Sequence, residues 1–413
     1  MAPRRKALFI VMDGVGDRPV PALKSKTPLQ AAKTPVMDGL AKEGQTGLMD
    51  VIGPGLTPGS DAAHLALFGY DPVATYPGRG PLEAAGAGLE TKRGDVAFRT
   101  NFATVDDDMV VLDRRAGRDF TPEEQAALQS EIDGMEVDDV KLRFLATVEH
   151  RGALVLSGPD LYAEISDVDP HETGKKVLKC EPLQPAAKKT ADIVNKMIRE
   201  IHSRIRDLPM NKKRKKEGLP PANIVLIRGP GRHGETPTLT EKYGIKAAVI
   251  AGGALYIGTA KFVGMVHVPV EGQTGTIDTS FENIAKKTIE CINGDYDYVF
   301  VHIKATDNAS HDKNVDEKIL AIERTDEMIG QILKETREVV VVAVTGDHTS
   351  PVSLGEHSSD PVPVLLWADF LRPDDTKTFS EIDAARGALH TIRGQDLLPL
   401  LLGYAGYIEK FGA

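Results

Sequence analysis

Cysteine is almost absent from this chain: Cys180 and Cys291 are the only two in 413 residues. So few thiols argue against a disulfide framework and against a thiolate metal site, and they fit a cytoplasmic protein. Long apolar runs are missing too, since none approaches the roughly 18 residues that a membrane span needs. Positive charge is not in excess: 50 Lys and Arg against 60 Asp and Glu leave a net charge of −10. That balance disfavours a nucleic-acid surface, and an anionic substrate would need cations concentrated in its site. There is no Gly-rich phosphate loop, because GPGRHG at 229–234 is too generic to count. Internal repeats and low-complexity segments are lacking as well. The composition, 41% hydrophobic and 27% charged, is that of a soluble globular protein, and its length predicts two domains.

Strand signals alternate with helical ones. The opening MAPRRKALFIVMDG has a brief apolar stretch that runs into Asp13 without a cleavage site, so it reads as a first strand and not as a signal peptide. Further strands are expected at 223–227, 247–251, 264–270, 298–303, 339–344 and 361–367. Helical patterns lie at 35–43, 280–293 and 315–337. This alternation predicts an α/β fold with a largely parallel sheet. Residues 95–215 differ, with an acidic turn at Asp106-Asp107-Asp108, helices at 121–132 and 188–206, and a basic stretch at 211–218 that reads as a solvated surface turn. Glycine-rich stretches at 76–88 and 271–275 suit hinges.

Three of the strands end in potential ligands. The first runs into Asp13-Gly14, and the apolar run at 339–344 into Gly346-Asp347-His348, with Glu356, His357 and Asp360 in the loop that follows. The strand at 298–303 leads into HIKATDNASHD, where Asp307 and His311 stand at i, i+4. In open α/β sheets the carboxyl ends of the strands are where ligands bind. Ser60 follows Pro58-Gly59 and opens an apolar helical pattern, at a helix start that could be a plain cap or an anion site. Each piece alone is ordinary; their coincidence points to chemistry. Oxygen and imidazole ligands without cysteine suit manganese, zinc or magnesium. Seven such groups are too many for one ion and suit two, which about 4 Å apart would clamp an in-line displacement at phosphorus. Ser60 between them would be the nucleophile and the transient phosphate carrier.

In chain order, Asp13, Ser60, Asp307, His311, Asp347, His348 and His357 resemble the two-metal site of the alkaline phosphatase superfamily. LFIVMDGVGDRP, TPGSDAAHLALFGYDP, GPLEAAGAGL, VHIKATDNASHD and TGDHTSPVSLGEHSSDPVP are similar to the archaeal-type branch of cofactor-independent phosphoglycerate mutases. The resemblance covers most of the chain. It implies an alkaline-phosphatase-like, mostly parallel sheet with helices on both faces, formed by 1–77 and 272–413, and a smaller inserted α/β substrate-binding domain at 78–271. One metal would be held by Asp307, His311 and His357, the other by Asp13, Ser60, Asp347 and His348. The expected reaction interconverts 3-phosphoglycerate and 2-phosphoglycerate without 2,3-bisphosphoglycerate. The partner is thus a small-molecule substrate, with no nucleic acid or membrane.

For the substrate groups, Ser166-Asp167-Val168-Asp169-Pro170-His171 resembles the bacterial branch's Arg-Asp-Thr-x-Pro element, which makes Asp167 the general base. Ser166 replaces that element's arginine, and His171 or Arg151 are candidates to compensate. Arg228 and Lys304 complete the set. Rival readings on the same metal site are a phosphomonoesterase, a phosphopentomutase or a kinase of a small amino alcohol. A non-catalytic descendant is disfavoured, since all seven ligand positions are filled.

Overall fold

The computed structural model describes residues 4–410 and 412, so the first three residues of the N-terminal segment lie outside it. The chain forms two compact units, one from residues up to 76 and from 237 onward, the other from 77 to 236.

The large unit is built on an eight-stranded sheet. Its centre is Lys6–Met12, flanked in parallel by Tyr298–Ile303 and Val340–Thr345. From Ala7 on, every residue of these three strands is buried, as both faces are covered and both sets of side chains are almost wholly apolar. Leu8 and Ile10 point into a core shared with Ile284 and Ile292 of helix Phe281–Ile292 and with Ile322 and Ile329 of helix Val315–Glu335. Phe9 points the other way, edge-on to Phe300, which in turn meets Phe68 just beyond helix Ser60–Leu67. Outward on one side lie Ala247–Ile250 and Val266–His267, and on the other Val362–Trp367, Gln45–Asp50 and His390–Arg393. Val362–Trp367 runs antiparallel to both of its neighbours, and the remaining pairings are parallel.

The register decides where the chemistry goes. Val11 lies opposite both His302 and Thr345, and Met12 opposite Ile303. The carboxyl ends of the three central strands are therefore level. The segments that follow them, at Asp13, at Lys304 and at Gly346, start from the same edge.

The chain re-enters the large unit at Pro237, earlier than the expected 272. Ala247–Ile250 pairs in parallel with Tyr298–Ile303, and Val266–His267 pairs with it, so residues 237–271 complete the large sheet. The Gly-rich segment 271–275 consequently lies inside this unit. The first glycine-rich stretch is mostly helix Arg79–Ala87, and Gly78, at φ 86°, starts it.

The second unit also departs from the expected α/β type. All its strand pairs are antiparallel: Val96–Val105 lies between Ile224–Arg232 and Arg151–Ser157, with Val111–Asp113, Val140–Ala146 and Glu136–Val137 completing the sheet. Phe98, Phe102, Phe144 and Leu154 pack with Ile198 and Ile201 of helix Lys188–Ile205. Helix Pro122–Ile132 opens on a capping box between Thr121 and Glu124. The basic stretch is not a solvated turn. It forms helix Pro209–Lys216, and Arg214 is fully buried there. Arg214 donates to Ala116 O at 3.0 Å, Pro220 O at 2.9 Å, Glu124 at 3.0 Å and Asp119 at 2.6 Å, with its guanidinium over the Phe120 ring.

Candidate active site

Three carboxylates, Asp13, Asp307 and Asp347, are fully buried at the level edge of the central strands. Asp13 Oδ1 lies 3.2 Å from His348 Nε2, and Asp13 Oδ2 lies 3.3 Å from His302 Nε2 and 3.1 Å from Lys304 Nζ. Asp347 Oδ1 accepts from the Gly14 N–H at 3.0 Å. Neither Asp13 oxygen nor Asp347 Oδ2 is part of an aligned hydrogen bond. Among the described residues Lys304 is the only ammonium paired with these carboxylates, meeting both Asp13 and Asp307.

Such crowding shapes the charges. Burial, then the charge of Asp13, pushes Asp347 up to about 8. Burial would also raise Asp13, but Lys304 and the neighbouring imidazoles hold it well below the usual carboxylate range. Burial would lower His348, yet Asp347 and Asp13 prevail and push it up to about 9. For Lys304 burial is likewise outweighed, by Asp13, Tyr256 and Asp307, and its ammonium is held well above the ordinary range.

The second group starts at helix Ala305–His311. His311 Nε2 lies 3.4 Å from Asp307 Oδ2, and His357 Nε2 lies 3.7 Å from Asp307 Oδ1. The His357 ring stacks on His348 with centroids 3.6 Å apart. In each of these three histidines Nδ1 meets an oxygen: Gly355 O at 2.8 Å for His311, Pro58 O at 3.0 Å for His357 and Ser350 Oγ at 3.0 Å for His348. A ring tied at Nδ1 turns its Nε2 lone pair to the other side, the arrangement found for metal-ligating imidazole. By distance, Asp13, Asp347 and His348 form one potential ion site, and Asp307, His348 and His357 another. Buried oxygen atoms without hydrogen bonds, imidazoles poised at Nε2 and an all O and N donor set fit divalent metals.

Ser60 is the first residue of helix Ser60–Leu67, and the preceding Gly59 is the N-cap. Its hydroxyl finds its partner in His348, 3.5 Å away at Nε2. His64, one turn on, donates from Nδ1 to Ser60 O at 2.7 Å and so fixes the backbone of the helix start. Burial, then His302, lowers His64 to about 3, so the ring is neutral. His302 is also lowered by burial and stacks on Tyr256 at 3.8 Å. These two buried histidines line the inner side of the cluster and were not among the expected site residues. The only sequence signals were the i, i+4 spacing from Ser60 and a polar residue inside an apolar strand.

In the second unit, Asp167 Oδ1 accepts from Gly229 N–H at 2.9 Å, and Oδ2 lies 3.1 Å from His171 Nε2. Asp169 is fully buried and takes a two-pronged bond from Arg114 at 3.0 and 2.6 Å, with Arg228 4.0 Å away. Burial, then Arg151, lowers the pKa of His150, and Arg118 and Arg228 add to the effect. Arg99, lowered first by burial, also feels Arg228 and Arg151. Arg151, Arg228, Asp167 and His171 thus stand in a cationic cluster with Arg99, Arg114, Arg118 and His150, four residues that sequence reasoning missed. Arginine forks of this kind suit carboxylate and phosphate.

A family model described as 2,3-bisphosphoglycerate-independent phosphoglycerate mutase matches residues 41–211. Proteins of that name from Methanocaldococcus jannaschii and Ignicoccus hospitalis are 47% and 50% identical over 411 and 417 residues, covering 99% of this chain and of each relative. The chain belongs to the 2,3-bisphosphoglycerate-independent phosphoglycerate mutases. Members of this family are isomerases, and their name states independence from the bisphosphate. Solved structures agree: a Pyrococcus horikoshii protein is 39% identical, with TM-score 0.82 and 100% of both chains covered. The cofactor-independent phosphoglycerate mutase of Thermoplasma acidophilum is 35% identical, with TM-score 0.79, covering 97% of this chain and 100% of that one.

Proposed function

We propose that this mutase interconverts 3-phosphoglycerate and 2-phosphoglycerate through a phosphoserine at Ser60. The observation that carries this reading is the Ser60 hydroxyl, at the first residue of its helix and 3.5 Å from His348 Nε2. Asp307, His311 and His357 would hold one divalent ion, and Asp13, Ser60, Asp347 and His348 the other, with manganese preferred over zinc or magnesium. Bound there, the ions supply Lewis acidity toward the phosphoryl oxygens and offset the charge of the buried carboxylates.

The protein's own residues account for the rest. Ser60 Oγ attacks phosphorus in line: the Oγ–P bond forms as the P–O bond to C3 breaks, and the proton that Ser60 gives up balances the one the departing C3 oxygen takes on as a hydroxyl. Lys304, whose ammonium stays charged beside Asp13 and Asp307, holds the phosphoryl oxygens. Arg228, Arg151 and His171 hold the freed glycerate by its carboxylate while it reorients. Asp167, part-exposed and unlike Asp169 not locked by an arginine fork, takes the proton from the C2 hydroxyl, whose oxygen attacks the phosphorus as the Ser60 Oγ–P bond breaks and Oγ regains a proton. Water must be excluded meanwhile, or the phosphoserine hydrolyses. The same chemistry serves glycolysis and gluconeogenesis in the cytoplasm, a setting supported by two buried, unpaired cysteines.

An enolase-coupled assay on 3-phosphoglycerate tests this, with manganese present, 2,3-bisphosphoglycerate absent, a chelator control and free phosphate followed in parallel. Metal-dependent 2-phosphoglycerate without phosphate release is expected. Phosphate release alone would make the protein a phosphatase on the same site.

A further inference from the structure

Ser350 is fully buried where the two ligand groups meet. Its hydroxyl donates to Asp307 Oδ1 at 2.8 Å and lies 3.0 Å from His348 Nδ1. A hydroxyl has one proton and two lone pairs, so both bonds hold together only if Ser350 donates to Asp307 and accepts from His348. That polarity keeps the His348 proton on Nδ1. Nε2, 3.2 Å from Asp13 and 3.5 Å from Ser60 Oγ, is then the nitrogen left to serve an ion. One oxygen thereby orients a residue from each of the two ion sites assigned above.

The backbone of Ser350 is held as firmly. Its N–H donates to Gly16 O at 3.0 Å, and its carbonyl accepts from Lys318 Nζ at 2.9 Å. Lys318, fully buried on helix Val315–Glu335, also reaches Asp17 Oδ2 at 2.8 Å and Gly16 O at 3.3 Å. The Asp17 carboxylate accepts in turn from Val352 N–H. One ammonium therefore binds the segment that follows Lys6–Met12 to the segment that follows Val340–Thr345, and both carry ligands. For stability alone, apolar packing in place of a buried ion pair would serve as well. What the pair adds is direction: each of its acceptors lies in a ligand-bearing loop.

We propose that Ser350 is a positioning residue that couples the two ion sites, and that the buried Lys318–Asp17 pair is its clamp. The proposal rests on the two-ion reading and goes beyond it by assigning residues that touch neither substrate nor ion. Metal-stripped full-length protein would be titrated with Mn²⁺, the free ion and the bound pair being followed by electron paramagnetic resonance. Wild type should take up two ions with a coupled spectrum. Ser350→Ala should weaken binding of at least one ion by about 10- to 100-fold and alter the spectrum of the bound pair. Its kcat on 3-phosphoglycerate should fall while KM stays within about twofold, because no substrate contact is removed. Lys318→Met should act in the same direction, and the double variant should lose less than the two effects combined. If Lys318→Met does not fold, judged by thermal unfolding of the metal-free protein, Ser350→Ala decides by itself. Wild-type affinity and spectrum in Ser350→Ala would overturn the proposal while leaving the two-ion reading intact. Fewer than two ions in wild type would remove both.

Discussion

Ser60 and His348 are 288 residues apart in the chain, yet the Ser60 hydroxyl lies 3.5 Å from His348 Nε2. Level strand ends and a helix start converge to make that contact. Since the hydroxyl's partner is His348, its loss should be chemical and not structural. Ser60→Ala is expected to lower mutase turnover by about a thousandfold or more. Unfolding in urea should shift by no more than about 0.5 kcal/mol. Residual turnover near wild type would rule out the phosphoserine route.

Lys304 should show opposite effects on catalysis and on metal binding. Its ammonium contacts Asp13 and Asp307, one carboxylate from each of the two proposed ion sites, and would repel a divalent ion placed between them. Lys304→Met is expected to tighten Mn²⁺ binding by about threefold or more while lowering kcat by at least about tenfold. Isothermal titration with Mn²⁺ beside steady-state kinetics would separate the two effects. Weaker metal binding in the variant would show that Lys304 organises the site and does not compete there.

Gly14 is constrained twice over. Its φ of 62° disfavours a side chain, and an added Cβ would stand 2.6 Å from Ser350 Oγ and 2.8 Å from Asp307 Oδ1. Gly14→Ala should therefore lower stability by about 1–3 kcal/mol and impair metal uptake as well. Denaturant unfolding and Mn²⁺ titration would be measured together. A variant that loses stability but binds metal normally would mean the site absorbs the extra methyl group.

Asp169 makes a pH prediction for the second unit. Burial would raise this carboxyl, but the Arg114 fork beside it holds it below the ordinary value of 3.8. A carboxylate lowered on folding contributes stability above the unfolded value and loses it as pH falls through the folded one. Asp169→Asn should thus cost about 1–3 kcal/mol at pH 7, and the gap to wild type should close between about pH 5 and about pH 2. Urea unfolding across that range is the check, and a pH-independent gap would contradict it.

Much of the candidate site's layout could be read from the sequence because its carboxylates and imidazoles follow the ends of short, fully buried strands. An apolar run that stops at Asp13 or at Gly346-Asp347-His348 states both the strand and its terminus. Other features depend on partners far along the chain. Val96–Val105 mixes Arg, Thr and Asn into a strand paired on both sides, so neither alternation nor an apolar run marks it. Ala247–Ile250 is four residues long, and only its pairing with Tyr298–Ile303 assigns it to the large unit. Arg214 and Lys318 occur among other charged residues, where burial has no local signature. His64 and His302 act through neighbours that sequence spacing does not reveal.

The strand at the centre of the large sheet is made long before the two strands that flank it. Lys6–Met12 is apolar on both faces, and its two neighbours are Tyr298–Ile303 and Val340–Thr345. During synthesis it must therefore wait for nearly 300 residues before either can pair with it, while the antiparallel unit at 77–236 has all of its own strands long before then. Unpaired strands of this kind are the segments most exposed to aggregation. For a newborn chain the vulnerable interval lies before residue 340 has emerged, and factors that shield nascent apolar segments would act on Lys6–Met12 until then.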